Sequence, residues 1–574
     1  MKKYLEIAEI KSKNILLLGL FIIILGMLEF FSVAALIPTL QLILDPNLFL
    51  NSKYFQIINN FTFLSDFLKS DNILYYFLVL FFFIIFFKNV GMILLNYINN
   101  IVIIGIETKI SINLFNKYIN SSLIFLSQRR SSEIIRNVIS QASAYANNFI
   151  HSIVIIITEV VCFSFLLGIL FYTFPKETVY SISIFIPISI LYVLVFKKII
   201  IKLSQSSENS YEKRIRYLNY GIESAKEIKL YNLQEQFSHE YLKSCYRIMS
   251  NLKIISIVRI LPRHFFEIVA TLMLCIFIIF SVENNIKSEV LLSKISVFAY
   301  AAFRILPSIN KVLTSVNRFK MSIPVVNNIL NELKVLKSDF NKENLQDYKN
   351  HKNFNNFKNL TIKGLTFKYP NSKNYVFENL DLIIKRGASN FIYGPSGSGK
   401  TTLAEIVIGL INSENKKIFI DNFDLKENKK QWQSIISYVP QDVFLMDDTL
   451  KNNIVGNINS KFRKNDYQKV IKLSELELLD KKYDLSTIGE GGKKLSFGQR
   501  KRIAVARAIY KKNTEILIFD EATSNLDKES ELAIINKIIK LSNNFTIVFI
   551  SHNMSLSKYF NNVFKIQNKQ IFKC

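Results

Sequence analysis

The sequence predicts a multidomain membrane protein, a six-helix all-α membrane domain followed by an α/β domain built around a phosphate-binding loop. Three observations carry that reading. Long apolar stretches crowd the chain ahead of Asn310, each near or above the ~20 residues a helix needs to cross a bilayer. The octapeptide Gly394 to Thr401, GPSGSGKT, stands between a short apolar stretch (390–393) and a helical-looking run (402–410). Further on, four apolar residues run into two carboxylates in ILIFDE, Ile516 to Glu521.

The apolar stretches resolve into six expected spans, at about 14–44, 71–104, 148–174, 177–203, 259–283 and 290–320. Several exceed one bilayer thickness at a helical rise of ~1.5 Å per residue, so they project into water as stalks. Ile101 to Asn148 and Lys202 to Lys253 are richer in Ser, Asn and charge than the spans beside them and read as two long cytosolic excursions. The exterior connections are short, at Phe174 to Thr178 and Glu283 to Glu289.

Lys and Arg set the orientation. The N-terminus carries Lys2, Lys3, Lys11 and Lys13, and the region of the second excursion carries Lys197, Lys198, Lys202, Lys213, Arg214, Arg216, Lys226 and Lys229. The positive-inside rule then places both termini and the α/β domain in the cytosol. Basic residues ahead of an apolar run resemble a secretory signal, but the run continues to Leu44, too long for a signal core, so it is expected as an uncleaved first span. The expected organisation is a membrane domain at 1–330, a polar Asn- and Lys-rich linker at 331–359, and the nucleotide domain at 360–574.

Half of the residues are hydrophobic, with 48 Phe against one Trp, and the formal net charge is +27. In a soluble chain such charge raises nucleic acid as a partner. Here basic cytosolic loops facing anionic headgroups account for it, together with a general bias towards Lys, Asn and Ile, and no nucleic-acid partner is expected. Four cysteines lie scattered without paired spacing, which indicates neither a disulfide framework nor a zinc site.

The chemistry concentrates in the second half. GxxxxGK[ST] uses small residues so that backbone N–H groups turn inward around phosphates. Gly394, Pro395, Ser396, Gly397, Ser398, Gly399, Lys400, Thr401 and Thr402 are the expected phosphate-binding set. Lys400 is expected to reach the terminal phosphates and Thr401 to offer its hydroxyl to Mg²⁺, with a helix N-terminus behind them. Ile516 to Glu521 reads as a buried parallel strand ending in a site. Asp520 is expected to hold the Mg²⁺ through its water shell and Glu521 to polarise the attacking water.

Between these motifs lies LSFGQ, Leu495 to Gln499, followed by a basic helix start, Arg500 to Arg507. Here the sequence resembles the ATP-binding cassette (ABC) family over about 360–574. The resemblance implies that Ser496, Phe497, Gly498 and Gln499 cap the ATP held by an opposite subunit. Phe497 departs from the glycine usual at that place, and glycine permits conformations and approaches that phenylalanine does not, so slower turnover is expected. By the same resemblance Tyr369 in FKYP stacks on adenine, and Gln441 in VPQD is the lid glutamine that senses Mg²⁺. Asp527 in SNLD links two ATP sites, and His552 in IVFISH meets the γ-phosphate. Glu521 and His552 are thus the catalytic expectation, and Thr401, Gln441 and Asp520 the metal expectation.

Because this family traps each ATP between two cassettes, the resemblance implies a second copy of the chain as partner and a homodimer as the simplest closed assembly. Motion is expected to reach the membrane near Asn116 to Arg130 and Asn219 to Leu233. TIGEGGKK, Thr487 to Lys494, resembles the loop of ABC exporters, as does the order of membrane half before cassette. Gly221 to Phe237 and Ala299 to Asn310 resemble regions of bacterial lipid-linked oligosaccharide flippases. The implied protein is an ATP-hydrolysing exporter of a lipid-linked, amphipathic cargo, resident as a multi-pass protein in a bacterial inner membrane among its lipids. The alternatives are lipid A, drug or peptide export, or a nucleotide sensor that transports nothing.

Ionisable residues inside spans usually face a bundle interior or cavity. Glu29, Glu159, Glu267 and Arg304 stand out on that ground. Lys88, Arg259, Arg263 and Arg304 form the expected set for an anionic headgroup, since Arg binds phosphoryl oxygens through two hydrogen bonds. Internal ion pairs, such as Arg304 with Glu29 or Glu159, are the competing explanation.

Overall fold

The computed structural model describes residues 12–44, 73–173, 175–283, 288–344, 354, 356–370, 372–412, 417–456, 462–483, 486–522, 528–541 and 545–574. The chain divides into two compact units, Met1–Asn120 with Arg129–Ser338, and Ser121–Gln128 with Asp339–Cys574.

The described residues of the first unit form helices joined by short turns. Helices α1 (Ser12–Leu44) and α2 (Ile73–Ile119) are followed by a short helix α3 (Leu123–Ser127) that belongs to the other unit. A helix α4 then runs over 131–173, passing through two π-helical stretches, Arg136–Gln141 and Tyr145–Ile150, before His151–Thr173. It is followed by α5 (Pro175–Glu223), α6 (Ala225–Leu230), α7 (Gln234–Glu283) and α8 (Ser288–Asn344). α1 packs along α2 and α4, and α5 along α7. Among the described residues, Leu18–Leu36, Ile73–Ile119 and Ser131–Tyr172 are long and apolar enough to cross a membrane. The fourth to sixth expected spans fall within α5, α7 and α8, parts of whose side chains lie outside the described residues. Both expected excursions are interrupted near their middle by a helix break and a short helix, α3 in the first and α6 in the second.

The second unit holds two sheets. One has strand order β2-β1-β4-β5 and is antiparallel, from β1 (Asn359–Phe367), β2 (Phe377–Lys385), β4 (Ile418–Ile420) and β5 (Phe423–Asp424). The other has order β10-β9-β3-β8-β7-β6, from β3 (Ser389–Tyr393), β6 (Ile436–Val439), β7 (Ile516–Asp520), β8 (Thr546–Ser551), β9 (Asn562–Gln567) and β10 (Gln570–Lys573). Its strands β9, β3, β8, β7 and β6 run parallel, and β10 is antiparallel to β9.

The sequences explain the difference. β3, β7 and β8 are buried along their whole length, as their near-continuous apolar runs require of a sheet covered on both faces. β2 instead buries roughly every second residue, as a sheet covered on one face does. The polar exception in β3, the buried Asn390, donates to the Ala388 and Ile547 carbonyls and accepts from Asn562. The helix α9 (Lys400–Ile408) follows β3, and its Leu403, Ile406 and Val407 join the core shared with the antiparallel sheet.

Beside the sheets stands a helical layer with its own core. It contains α11 (Leu450–Val455), α12 (Lys464–Leu473), α13 (Glu477–Lys482) and α14 (Phe497–Tyr510), whereas α10 (Lys429–Ser434) buries Trp432 in the core shared with the antiparallel sheet. Leu450, Ile454, Val470, Ile471, Ile503 and Ala506 form the core of α11, α12 and α14, joined by Leu476 at the start of α13. A last helix, α15 (Lys528–Leu541), buries Ile535 and Ile538 with Phe519 and Phe549 of the parallel sheet.

Two differences from the expected boundaries follow from packing. The stretch 331–359, expected as a polar linker, is helical through Asn344 in α8. Its aromatics Phe354 and Phe357 are buried in the cassette core, Phe357 edge-on to Trp432 at 5.5 Å between ring centroids. In a polar run, two large apolar side chains remain worth burying. The second difference is α3. Ser122 donates from its N and Oγ to the Asp339 carboxylate at 2.8 and 2.9 Å, and Ile124 packs against the cassette core.

Candidate nucleotide site

The phosphate loop lies between β3 and α9, at the C-terminal ends of the parallel strands, where ligands of such sheets bind. Gly399 caps α9 with φ of +94°. A Cβ there would lie 2.6 Å from Val376 Cγ1 and 2.9 Å from Phe377 Cζ, so neither the backbone nor the space accepts another residue. At Gly394 a Cβ would meet the Ile566 carbonyl and Ser398 Oγ at 2.8 Å each. Lys400 folds its buried amino group back over the loop and donates to the Gly394 and Pro395 carbonyls, both at 3.0 Å. Tyr369, the expected adenine platform, is half-buried, edge-on to Phe367, with its hydroxyl 3.1 Å from that of Thr402.

The end of β7 supplies the carboxylates. Asp520 is fully buried, and its Oδ2 accepts from the Tyr438 hydroxyl at 3.2 Å. Burial pushes the Asp520 carboxyl above its usual range, opposed by hydrogen bonds from Thr401 and Tyr438 and reinforced by Glu521. Burial and the neighbouring Asp520 likewise raise the Tyr438 phenol, and Glu405 on α9 is raised by its own burial and then by Asp520.

Glu521 follows with φ of +47°, a left-handed conformation, and its N–H donates to the Ile550 carbonyl at 3.0 Å. That turn aims its side chain into the site. Glu521 Oε2 accepts from Gln441 Nε2 at 2.9 Å, while Oε1 lies 3.9 Å from Lys400 Nζ and 3.6 Å from His552 Nδ1. Five residues named from sequence, Lys400, Gln441, Asp520, Glu521 and His552, thus meet at one place.

The signature segment is a helix start. Ser496 caps α14, its Oγ accepting from the Gln499 N–H at 3.2 Å while Gln499 Oε1 accepts from the Ser496 N–H at 2.9 Å. This reciprocal pair fixes the helix N-terminus. Phe497 is the first helical residue and has no positive φ, so its backbone makes no demand that only glycine meets. Its ring lies beside the cations of Arg500 and Lys501, at 5.7 and 5.4 Å. Asp527 lies outside the described residues.

The donor set fits a nucleotide phosphate with a hard cation. Asp520 Oδ1 and Ser398 Oγ are buried with no hydrogen-bond partner, and buried polar atoms of that kind call for a ligand. Among the described residues no group of three His, Cys, Asp or Glu is placed to hold a metal alone. One carboxylate with substrate phosphates is the usual arrangement for Mg²⁺.

Models of known families match both halves. Residues 35–305 match the ABC transporter transmembrane region and residues 377–524 the ABC transporter domain. The chain belongs to the ABC transporters. A bacterial Atm1-family ABC exporter, solved with ATP bound, has the same fold, with a TM-score of 0.79 at 16% identity over 98% of this chain and 95% of that one. Similar relatives include the ATP-dependent lipid A-core flippase of Wigglesworthia glossinidia brevipalpis, 32% identical over 42% of each chain. Another is the protein of the same name from Francisella tularensis subsp. holarctica (strain OSU18), 29% identical over 70% of this chain. The matches span 42% and 66% of these two relatives' own lengths.

Within this ABC transporter, the cations named for an anionic headgroup fare differently. Lys88 is buried and stands 3.4 Å from Glu29, itself buried, so its charge is met inside the protein rather than held open. The side chains of Arg259, Arg263 and Arg304 lie outside the described residues. Glu159 is paired with Lys311, at 2.8 Å, a lysine that sequence reasoning did not name. Glu267 is exposed, 3.9 Å from His264. Sequence reasoning also missed Tyr438, Glu405 and Lys501. Tyr438 stands three residues before Gln441 in ISYVPQ, and Lys501 lies in the basic start of α14, but their roles depend on which strands are neighbours.

Proposed function

We propose that two copies of this chain form an ATP-driven exporter or flippase in a bacterial cell membrane, with both cassettes in the cytosol. Its cargo is an amphipathic lipid whose polar head carries sugar and phosphate, of the lipid A-core or lipid-linked oligosaccharide kind. The observation that carries the ATPase part is the Glu521 carboxylate, held by Gln441 on one oxygen and facing Lys400 and His552 with the other. A carboxylate so oriented can accept a proton from an attacking water and keep it aimed at a γ-phosphoryl group.

In this reading the loop N–H groups and Lys400 bind the β- and γ-phosphates. Asp520, the Thr401 hydroxyl and Gln441 would hold Mg²⁺. The metal supplies charge neutralisation of the phosphoryl oxygens. Tyr369 receives the adenine. Ser496 to Gln499 at the capped start of α14 meet the nucleotide of the second copy, with Asp527 at the same seam. The lipid part of the reading is supported by the names of the similar flippases and by the long apolar helices of the first half.

The test is ATP turnover by the purified full chain in liposomes, with and without lipid A-core and lipid-linked oligosaccharides. Stimulation by one class, coupled to its movement across the bilayer, supports the proposal and selects the cargo. Turnover indifferent to every lipid points to another substrate. No turnover at all, with nucleotide still bound, favours the nucleotide sensor.

A further inference from the structure

Lysine is rarely buried unless its charge is met. Lys501, on the second turn of α14, is 1% exposed. Its ammonium donates to three backbone carbonyls, those of Pro440 at 3.2 Å, Gln441 at 2.5 Å and Glu521 at 3.3 Å. The Phe497 ring lies 5.4 Å away, on the same helix. Three donors therefore meet three acceptors.

What those acceptors belong to gives the lysine its meaning. Gln441 and Glu521 are the two residues whose side chains bond each other at 2.9 Å. They come from different segments, the loop after β6 and the turn after β7. Glu521 also sits in a left-handed conformation, which persists only when its surroundings hold it. A cation clamped on both backbones at once fixes the distance over which the side-chain bond must reach.

Building on the ATPase reading above, we propose that Lys501 is a positioning residue that sets Gln441 and Glu521 in hydrolytic register from the signature helix. It touches neither nucleotide nor water. Its effect falls on the rate of hydrolysis and leaves nucleotide binding by the phosphate loop nearly intact, because Lys400 and Gly394 to Gly399 make no bond with it among those described.

The experiment compares the full-length wild-type chain with Lys501→Met, Lys501→Gln and Lys501→Arg. It measures kcat and KM for MgATP, equilibrium binding of a fluorescent ATP analogue, and the thermal midpoint. Misplacing the catalytic carboxylate predicts a fall in kcat on the order of tenfold to a hundredfold for Lys501→Met, with KM and analogue affinity within about threefold. Lys501→Gln, which keeps N–H donors without the charge, is expected between Met and wild type, and Lys501→Arg to recover most of the turnover. Turnover of Lys501→Met within about twofold of a working wild type overturns the inference alone. So does a joint loss of turnover, nucleotide affinity and thermal stability in both Met and Gln variants, the mark of a lysine that only supports the fold. A wild type that binds the analogue but never hydrolyses ATP overturns the ATPase reading and this inference with it.

Discussion

Both halves of this chain bury carboxylates, and they treat them in opposite ways. In the membrane half, Glu29 stands 3.4 Å from Lys88 and Glu159 2.8 Å from Lys311. In the cassette, Asp520 is equally buried yet has one oxygen without a partner, and its carboxyl is pushed above its usual range by burial. A paired buried acid is scaffold, since removing its partner strands a charge. An acid left incomplete inside a close-packed sheet costs stability in the empty protein and awaits a ligand. The contrast separates architecture from chemistry more sharply than burial or charge alone.

The strongest challenge to the contrast is Asp520→Asn. Turnover should fall on the order of a hundredfold or more, as when a group stabilising transition-state charge is removed, while the thermal midpoint holds or rises because the penalised charge has gone. Steady-state ATPase assay and a melting curve check both. A melt lowered together with intact turnover reverses the assignment.

Glu29→Ala should behave the other way, leaving Lys88 buried without its carboxylate and costing about 3–5 kcal/mol of stability. The double change Glu29→Leu with Lys88→Met should recover most of that loss. Unfolding in detergent monitored by intrinsic fluorescence or calorimetry measures it, and an additive double mutant would show that the pair is not coupled.

Tyr438→Phe removes the donor to Asp520 Oδ2 without changing shape. A hydrogen bond to a charged group is worth about 1.5–3 kcal/mol, so kcat should drop on the order of tenfold to a hundredfold. Unchanged kinetics would mean that the phenol is packing and nothing more.

The smallest effect belongs to Glu475, a partly exposed acid bonded to Lys537 and 3.1 Å from Arg502. The hydrogen bond from Lys537, then the two cations, lower its pKa. A lowered carboxylate contributes stability above its unfolded-state pKa and loses it as pH falls through the folded value. Glu475→Gln should therefore cost under about 1 kcal/mol at neutral pH and nothing in acid, which a pH series of melts resolves.

How much of this was legible depended on the range over which each feature is built. The phosphate loop is local: small residues, lysine and threonine adjoin in the chain, and the strand and helix beside them lie within a few residues. The β7 strand was legible for the same reason, as four apolar residues before Asp520 and Glu521. The serine cap at Ser496 was written into its own segment.

Tyr438 was not legible, because its meaning arises only when β6 lies beside β7, pairing Tyr438 with Ile518. Lys501 needed the fold to bring two loops to one helix. Glu29 was singled out correctly as an ionisable residue inside a span, but its partner had to come from the packing of α1 on α2. Among the described residues that packing supplies Lys88. Phe354 and Phe357 were hidden by their polar neighbours, which suggested a linker where the core begins. Phe497 stands where the family usually has glycine, and its helical backbone makes no demand that only glycine meets.

The left-handed backbone at Glu521 has a practical corollary. An L-residue with a Cβ pays roughly 1–2 kcal/mol to sit there, whereas glycine does not and asparagine is less burdened. Directed evolution of this transporter for heat tolerance alone, with no demand for work, would drift towards Glu521→Gly or Glu521→Asn and, on the role proposed for Glu521, return a robust but idle machine. Screens for hardier variants must therefore keep ATP consumption under selection.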